Sequence, residues 1–457
     1  MRKVIAPSEL PTREEMLAWI HELCAGDHRL AGTEEGRRAE EVVEGWFRKV
    51  GIPDVARESI ALQSWIPDAG RLEYGGSALE VYPLARSRFS GPEGVRGPLV
   101  YVGEGDPENL DGRSLDGRIA VVDVHFGPRP YQHLRKTAHA VHDPGGTFAR
   151  DLDTRANWIL PNLARAYAWC AARGAAGWIG ILRDLGCGHS RYHYPYGNEQ
   201  EVLPIPAALV GSEEGDRLRE MLRLRSADGR AIEARLITTG KTAAARTSNV
   251  IGHLPGASSR LILATTHHDS PFRGFVDDAS GIAVLLALAH HFAHRPPERR
   301  PFSMAFLASA GNFVNHLGAR DFLARHAHDL VPRLALVVTL EHIGLEVTRE
   351  GGKLAPTGRI EPRGVFVSDQ PDLLDMTTLP IIANDLRRTF VAPVPQESGH
   401  ADGEARRYFA AGLPTIGLIG GPGYVLTADD GPDLLAADEL VPTAKAFIEI
   451  IEAFMEA

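Results

Sequence analysis

Along residues 11 to 50 apolar positions recur at helical spacing, and the stretch predicts two helices. In the second, TEEGRRAEEVVEGWFRKVGI, Ala39, Val42, Val43, Trp46 and Phe47 form the apolar stripe, Thr33 stands at the N-cap position and Gly51 supplies the stop. From about Gly91 the texture changes to short β runs, PLVYVG and RIAVVDV, separated by glycine and aspartate turns. A helix, ARAYAWCAARGAAG, a buried strand, WIGIL, a second strand, IPAALV, and a charged helix, EEGDRLREMLRL, complete a small α/β module ending near residue 240. After TSNVIGHLPG the pattern grows larger and regular: strand LILATT, helix GIAVLLALAHHFA, strand FSMAFLA, a helix through GARDFLARH, strand LALVVTL, strand LPTIGLIG and an amphipathic C-terminal helix, TAKAFIEIIEAFME. Alternating strand and helix predicts a mostly parallel sheet. The expected division is therefore residues 1–90 with 242–457 as one domain and 91–241 as an inserted one.

Composition narrows the class. At 457 residues and 44 % hydrophobic, the chain can bury the cores of two domains. With 49 basic against 59 acidic residues and no dense Lys/Arg run, nucleic acid is not an expected partner. Cys24, Cys170 and Cys187 are widely spaced, which predicts neither a disulfide framework nor a thiolate metal site. The N-terminal MRKVIAPSELPTREEM lacks an apolar h-region, and no run of eighteen apolar residues occurs; the expectation is a cytoplasmic protein with no membrane partner. Oligomeric state is not legible, and a homo-oligomer is compatible with everything above.

In an open α/β sheet ligands gather beyond the carboxyl ends of the strands, so the residues just after each strand carry the chemistry. After LILATT come His267, His268, Asp269 and Ser270, and a short loop leads to Asp277 and Asp278. After FSMAFLASA come Gly311, Asn312 and Phe313; after LALVVTL come Glu341 and His342. Any one of these taken alone is ordinary, since a single histidine is usually solvated or packed and Asp278 could simply cap a helix. Together, imidazole and carboxylate at one sheet edge suit zinc or a similar divalent ion, because buried charge there is costly without a cation.

The order SNVIGHLPG, THHDSP, GFVDDASGIAVLLALA, FSMAFLASAGNFVNHLGARDF and VVTLEHIG resembles the co-catalytic zinc aminopeptidases of the MH clan, whose relatives include bacterial leucyl aminopeptidase, glutamate carboxypeptidase and glutaminyl cyclase. DHRLAGTEEGRRAEEVVEGWFRKVGI is similar to that family's entry helices. GRIAVVDV, ARGAAGWIGIL and IPAALVGSEEGDRL resemble a protease-associated (PA) domain. The resemblance implies a three-layer fold, a mostly parallel mixed sheet flanked by helices, with a small inserted α/β protease-associated domain. It makes His267 a terminal metal ligand, Asp277 the bridging carboxylate, Glu341 the carboxylate completing that site, and Asp269 the group that orients the ligand histidine.

The other half of the family's site is missing. Asn312 and Phe313 stand where the family has two adjacent glutamates, one a general base and one a ligand, and Tyr424 is followed by Val425 where the family has a ligand histidine. The SDH-like segment is altered to SGHADGEARRYFAAGLPTIG, with His400, Asp402 and Glu404 as nearby polar residues. One expectation is a hydrolase of an amide or related C–N bond, on a small molecule or peptide N-terminus, using one divalent ion held by His267, Asp277 and Glu341. Zinc is expected, with manganese or iron also fitting. The proton acceptor would be His342, His268 or His400; alternatively one of these histidines is itself a ligand and Asn312 donates to a developing oxyanion. The other expectation is a catalytically inactive aminopeptidase-like protein with a binding or assembly role. The inserted module carries His125, His133, His139, His142, His189 and His193 with Tyr131, Tyr192, Tyr194 and Tyr196, which suggests a lid over the cleft or a polar loop packed on its own domain.

Overall fold

Strands buried on both faces need near-continuous apolar runs, and the runs from LILATT onward become the centre of the main sheet. The computed structural model describes residues 10–457 apart from 107, 109–113, 129–130, 149–155, 184–190, 195–199, 228–229, 351–352 and 396–402. Its strands are β1 (Asp54–Tyr74), β2 (Ser77–Glu80), β3 (Tyr82–Pro83), β4 (Gly91–Tyr101), β5 (Ile119–Val124), β6 (Ala140–His142), β7 (Gly177–Leu182), β8 (Ala207–Val210), β9 (Glu233–Leu254), β10 (Ser258–His267), β11 (Phe302–Ser309), β12 (Leu334–Glu341), β13 (Leu345–Glu350), β14 (Lys353–Ile360), β15 (Arg363–Ser368), β16 (Thr389–Val394) and β17 (Thr415–Gly420).

The main sheet runs β9-β11-β10-β12-β17-β15-β16-β6. Parallel pairing joins β11, β10, β12 and β17, so the carboxyl ends of these strands open on the same edge. Alternate residues feed opposite layers, as a period of two requires. Ile262, Ala264, Met304, Phe306, Leu336 and Val338 join the large core under the helix Ser280–Ala293, while Leu261, Leu263, Ala305, Leu307 and Val337 pack with Phe322 and Tyr408 on the other face. That is the expected three-layer, mostly parallel mixed sheet. The segment Phe275–Ala293 is long and apolar enough to cross a membrane by length and composition, yet 94 % of its apolar window is buried inside the protein.

The entry helices form where the sequence pattern puts them, Arg13–Leu23 and Glu34–Lys49. Thr12 and Glu15 cap the first reciprocally, and Thr33 accepts from the Gly36 amide at the start of the second. Between residues 91 and 241, β4, β5, β7 and β8 pair in parallel beside the helices Leu163–Ala172 and Ser212–Ala227. The long β1 and β9 pair antiparallel from Asp54 opposite His253 to Tyr74 opposite Ala234, and β4 joins β9 near its start, so one ribbon runs through both units. A second connection is β6, which pairs antiparallel with β16 at the far edge of the main sheet.

Candidate metal centre

Three loops bring ligand atoms to the open edge of the main sheet. His267 closes β10, Asp277 lies in the irregular turn before the helix Ser280–Ala293, and His342 follows β12 directly with a left-handed φ of 60°. His267 Nε2 lies 3.3 Å and His342 Nε2 3.2 Å from Asp277 Oδ1, and one ligand atom from each residue falls within 4.8 Å of the other two. All three residues are buried, and His267 Nε2, Asp277 Oδ1 and His342 Nε2 have no hydrogen-bond partner. Leaving such atoms unpaired costs about 1–3 kcal/mol each, so their convergence calls for a cation. Bond lengths of about 2.0–2.2 Å around a tetrahedral zinc put its ligands roughly 3.3–3.5 Å apart, close to the separations found here.

The second ring nitrogens fix the direction of the first. His267 Nδ1 meets the Asp269 carbonyl at 3.1 Å, with Asp269 Oδ1 at 3.6 Å, and His342 Nδ1 meets the Gly420 carbonyl at 2.9 Å. With those nitrogens protonated, both Nε2 lone pairs point at Asp277. Asp430 accepts from the Val276 and Asp277 amides at 2.8 and 2.9 Å and so holds the backbone of the ligand turn. Asp278 accepts from the Gly281 and His342 amides and from the Thr266 hydroxyl, tying the three loops together. Arg29, from the entry segment, braces the loop after β10 by donating to the His268 and Gly274 carbonyls.

Electrostatics report the crowding. Burial alone would pull both histidines down, yet Asp277, with Asp269 at His267, carries His267 well above its ordinary pKa and His342 to about 9. Burial likewise works against charge on Asp277, but the two imidazoles overcome it and hold that carboxylate below its usual range. At Asp278 and Asp430 burial outweighs the pull of the imidazoles and pushes the carboxyls up to about 6 and about 7.

The residues singled out from sequence separate here. His267 and Asp277 come together as expected, but the third member is His342 rather than Glu341. The left-handed backbone of His342, just past the end of β12, turns its side chain toward Asp277. Glu341 instead accepts from the Glu404 amide at 2.8 Å, while Glu404 accepts from Ser309 and, at 3.3 Å, from Thr265. Burial pushes both carboxyls up to about 7, with Asp278 adding to the rise at Glu341 and Glu341 adding to it at Glu404. His268 is not part of the group: its Nε2 lies 3.0 Å from the Ser248 carbonyl and its Nδ1 is buried without a hydrogen-bond partner. Asn312 donates its amide to Asp269 Oδ1 at 3.1 Å and its side-chain oxygen meets His316 Nδ1 at 2.6 Å. His400 and Asp402 lie outside the described residues.

Phe313 is buried and stands edge-on to His267, ring centres 5.5 Å apart. On its other side it meets His193, 5.9 Å away, which belongs to residues 91–241. The segment around His193 is stitched to residues 424–428: Tyr192 bridges Thr427, the His193 amide donates to Leu426, and Ala428 donates to Arg191. Asn157 adds two bonds, from Nδ2 to the Gly423 and Val425 carbonyls. The other histidines of that unit go elsewhere. His139 and His142 pair with Asp375 and Asp385, and His125 with Glu104. The side chains of His133 and Tyr131, and all of His189 and Tyr196, lie outside the description. His193 was one of the six histidines that suggested a lid in sequence, while His316 carried no signal there.

Comparison with known proteins agrees with this architecture. Residues 249–351 match the profile of peptidase family M28. Among curated relatives, a protein of Pyrenophora teres f. teres (strain 0-1) named "Probable zinc metalloprotease" is 26 % identical over 59 % of this chain and 50 % of its own length. The chain thus spans about half of that relative. "Probable lipoprotein aminopeptidase LpqL" of Mycobacterium tuberculosis (strain ATCC 25618 / H37Rv) is 22 % identical over 86 % of this chain and 70 % of its own. Among solved structures, a zinc aminopeptidase from Bacillus subtilis superposes with a TM-score of 0.68 at 16 % identity, covering 97 % of this chain and 95 % of that one. An aminopeptidase from Aneurinibacillus sp. strain AM-1 gives 0.65 at 19 %, covering 97 % and 94 %. At these identities the structural likeness speaks for the fold.

Proposed function

Proceeding from a chain that is a divergent member of the zinc-aminopeptidase-like peptidase family M28, we propose that it hydrolyses an amide or related C–N bond with a single zinc ion held by His267, Asp277 and His342. The carrying observation is the convergence of three buried ligand atoms, none with a hydrogen-bond partner, at the edge where the parallel strands end. When bound, zinc in a three-ligand site polarises a carbonyl and lowers the pKa of water to about 7.

The chain's own residues do the rest. The Asp269 and Gly420 carbonyls keep the two imidazoles aimed, and Asp430 and Asp278 keep the Asp277 turn in register with β12. Phe313 excludes water from the side of His267 where the family's second ion would need ligands, and neither it nor Val425 can coordinate one. That supports one ion rather than two. The segment 191–194, sewn to 424–428, supports a lid role for the inserted, PA-like unit.

Metal analysis of protein prepared with zinc tests the reading. One ion per chain, lost in both His267→Ala and His342→Ala, with turnover of an amino acid amide or anilide, is the expected result. Protein that binds no zinc would favour an inactive relative with a binding role, and two ions per chain would refute the single-ion site.

A further inference from the structure

His193, from the inserted unit, packs against Phe313, the same ring that stands edge-on to His267. It is 4 % exposed and its Nδ1 is buried with no hydrogen-bond partner. Its ring is walled by Trp65 on one side, 6.1 Å between centres, and on another by Phe313, which it shares with His267. Its backbone is fixed by the bond to Leu426, and Tyr192 next to it donates from its hydroxyl to the Asn157 carbonyl. The imidazole is therefore held still, separated from His267 by one phenyl ring, with an unused polar atom. Nothing in its own packing explains that atom, because a phenyl ring would fill the aromatic slot without a polar group to bury.

We propose that the inserted unit supplies a substrate-recognition residue: His193 Nδ1 accepts a hydrogen bond from the amine end of a substrate whose scissile bond lies at the His267–Asp277–His342 centre. This rests on the hydrolase reading above. Burial holds the His193 pKa down at about 4, so the ring is neutral at pH 7 and, with its proton on Nε2, Nδ1 is an acceptor. Asp269 acts on the same ring electrostatically, Arg86 opposes it and Asp277 adds to it, so two carboxylates against one guanidinium favour an N–H donor over an anion. A free amine satisfies both conditions, and a site built to bond a polar group discriminates strongly against a ligand that lacks it.

The test compares two ligands of zinc-loaded, full-length protein by calorimetry: leucine hydroxamate and 4-methylpentanehydroxamate, which differ only in the amine. Wild type is expected to prefer the amine-bearing ligand by about 10- to 100-fold, the worth of one buried hydrogen bond. His193→Phe should bind both alike while keeping its zinc and its melting temperature, and His193→Gln, which retains an acceptor, should recover part of the preference. Equal binding of the two by wild type, or an undiminished preference in folded His193→Phe, overturns the assignment and leaves the metal-centred reading standing. Should His193→Phe fail to fold, His193→Leu takes its place: loss of the preference with zinc retained supports the acceptor, and an undiminished preference overturns it. If wild-type protein binds zinc but neither hydroxamate, the hydrolase reading falls and this inference with it.

Discussion

Two buried acidic groups sit side by side at the end of β12, and they behave in opposite ways. In one, Asp277 faces two imidazoles, its pKa is depressed, and the facing atoms have no hydrogen-bond partner. In the other, Glu341 and Glu404 face a backbone amide and hydroxyls, and both carboxyls are raised to about 7. Residues 341 and 342 are neighbours in sequence yet belong to different groups. A carboxylate kept charged by imidazoles is prepared for a cation, whereas a carboxyl satisfied by neutral donors is already a finished hydrogen-bond unit.

The largest expected effect breaks the first group. His342→Ala or His267→Ala should lower zinc affinity by more than about 100-fold, read by competition with a chelator, since even residues that only orient a ligand are worth about 10- to 100-fold. Asp269→Asn should show that smaller loss, because it leaves all three ligands in place while weakening the support of His267.

A pH series sharpens the contrast. The folded-state pKa of His342 is raised from 6.5 to about 9, so its pairing with Asp277 stabilises metal-free protein fully below pH 6.5 and is lost as pH rises through 9. Zinc needs the deprotonated ring, so the rise in melting temperature on adding zinc should grow over the same window. A gain that shrinks as pH rises from 6.5 to 9 would contradict the assignment of His342.

The smallest effect belongs to the carboxyl pair. Glu341→Gln keeps an acceptor for the Glu404 amide and should leave zinc content unchanged. A carboxyl raised from 4.5 to about 7 on folding loses stability as pH climbs through that range, so the variant should be more stable than wild type at pH 8, on the order of 2 kcal/mol, by denaturant titration. Loss of zinc in Glu341→Gln would return Glu341 to the ligand set.

Much of the fold was legible because the strands β10, β11 and β12 are apolar on both faces, and β5 and β7 likewise. The β1–β9 ribbon was not, since its burial alternates irregularly over more than twenty residues and polar residues such as Thr239, Lys241 and Arg246 interrupt it. In the site, His267 and Asp277 announced themselves by following a strand and preceding a buried helix. Between Glu341 and His342 sequence alone could not choose, because the left-handed turn at His342 decides which side chain faces Asp277. His193 was one histidine of six between residues 91 and 241, and only the stitch to residues 424–428 marks it out.

The most direct measurement is anomalous diffraction at the zinc edge from crystals of metal-loaded protein. The account predicts one peak per chain, within bonding distance of His267 Nε2, His342 Nε2 and an Asp277 carboxylate oxygen, with Glu341 outside its coordination. A peak centred on Glu341 and Glu404, a second peak beside Phe313, or no peak at all would contradict it.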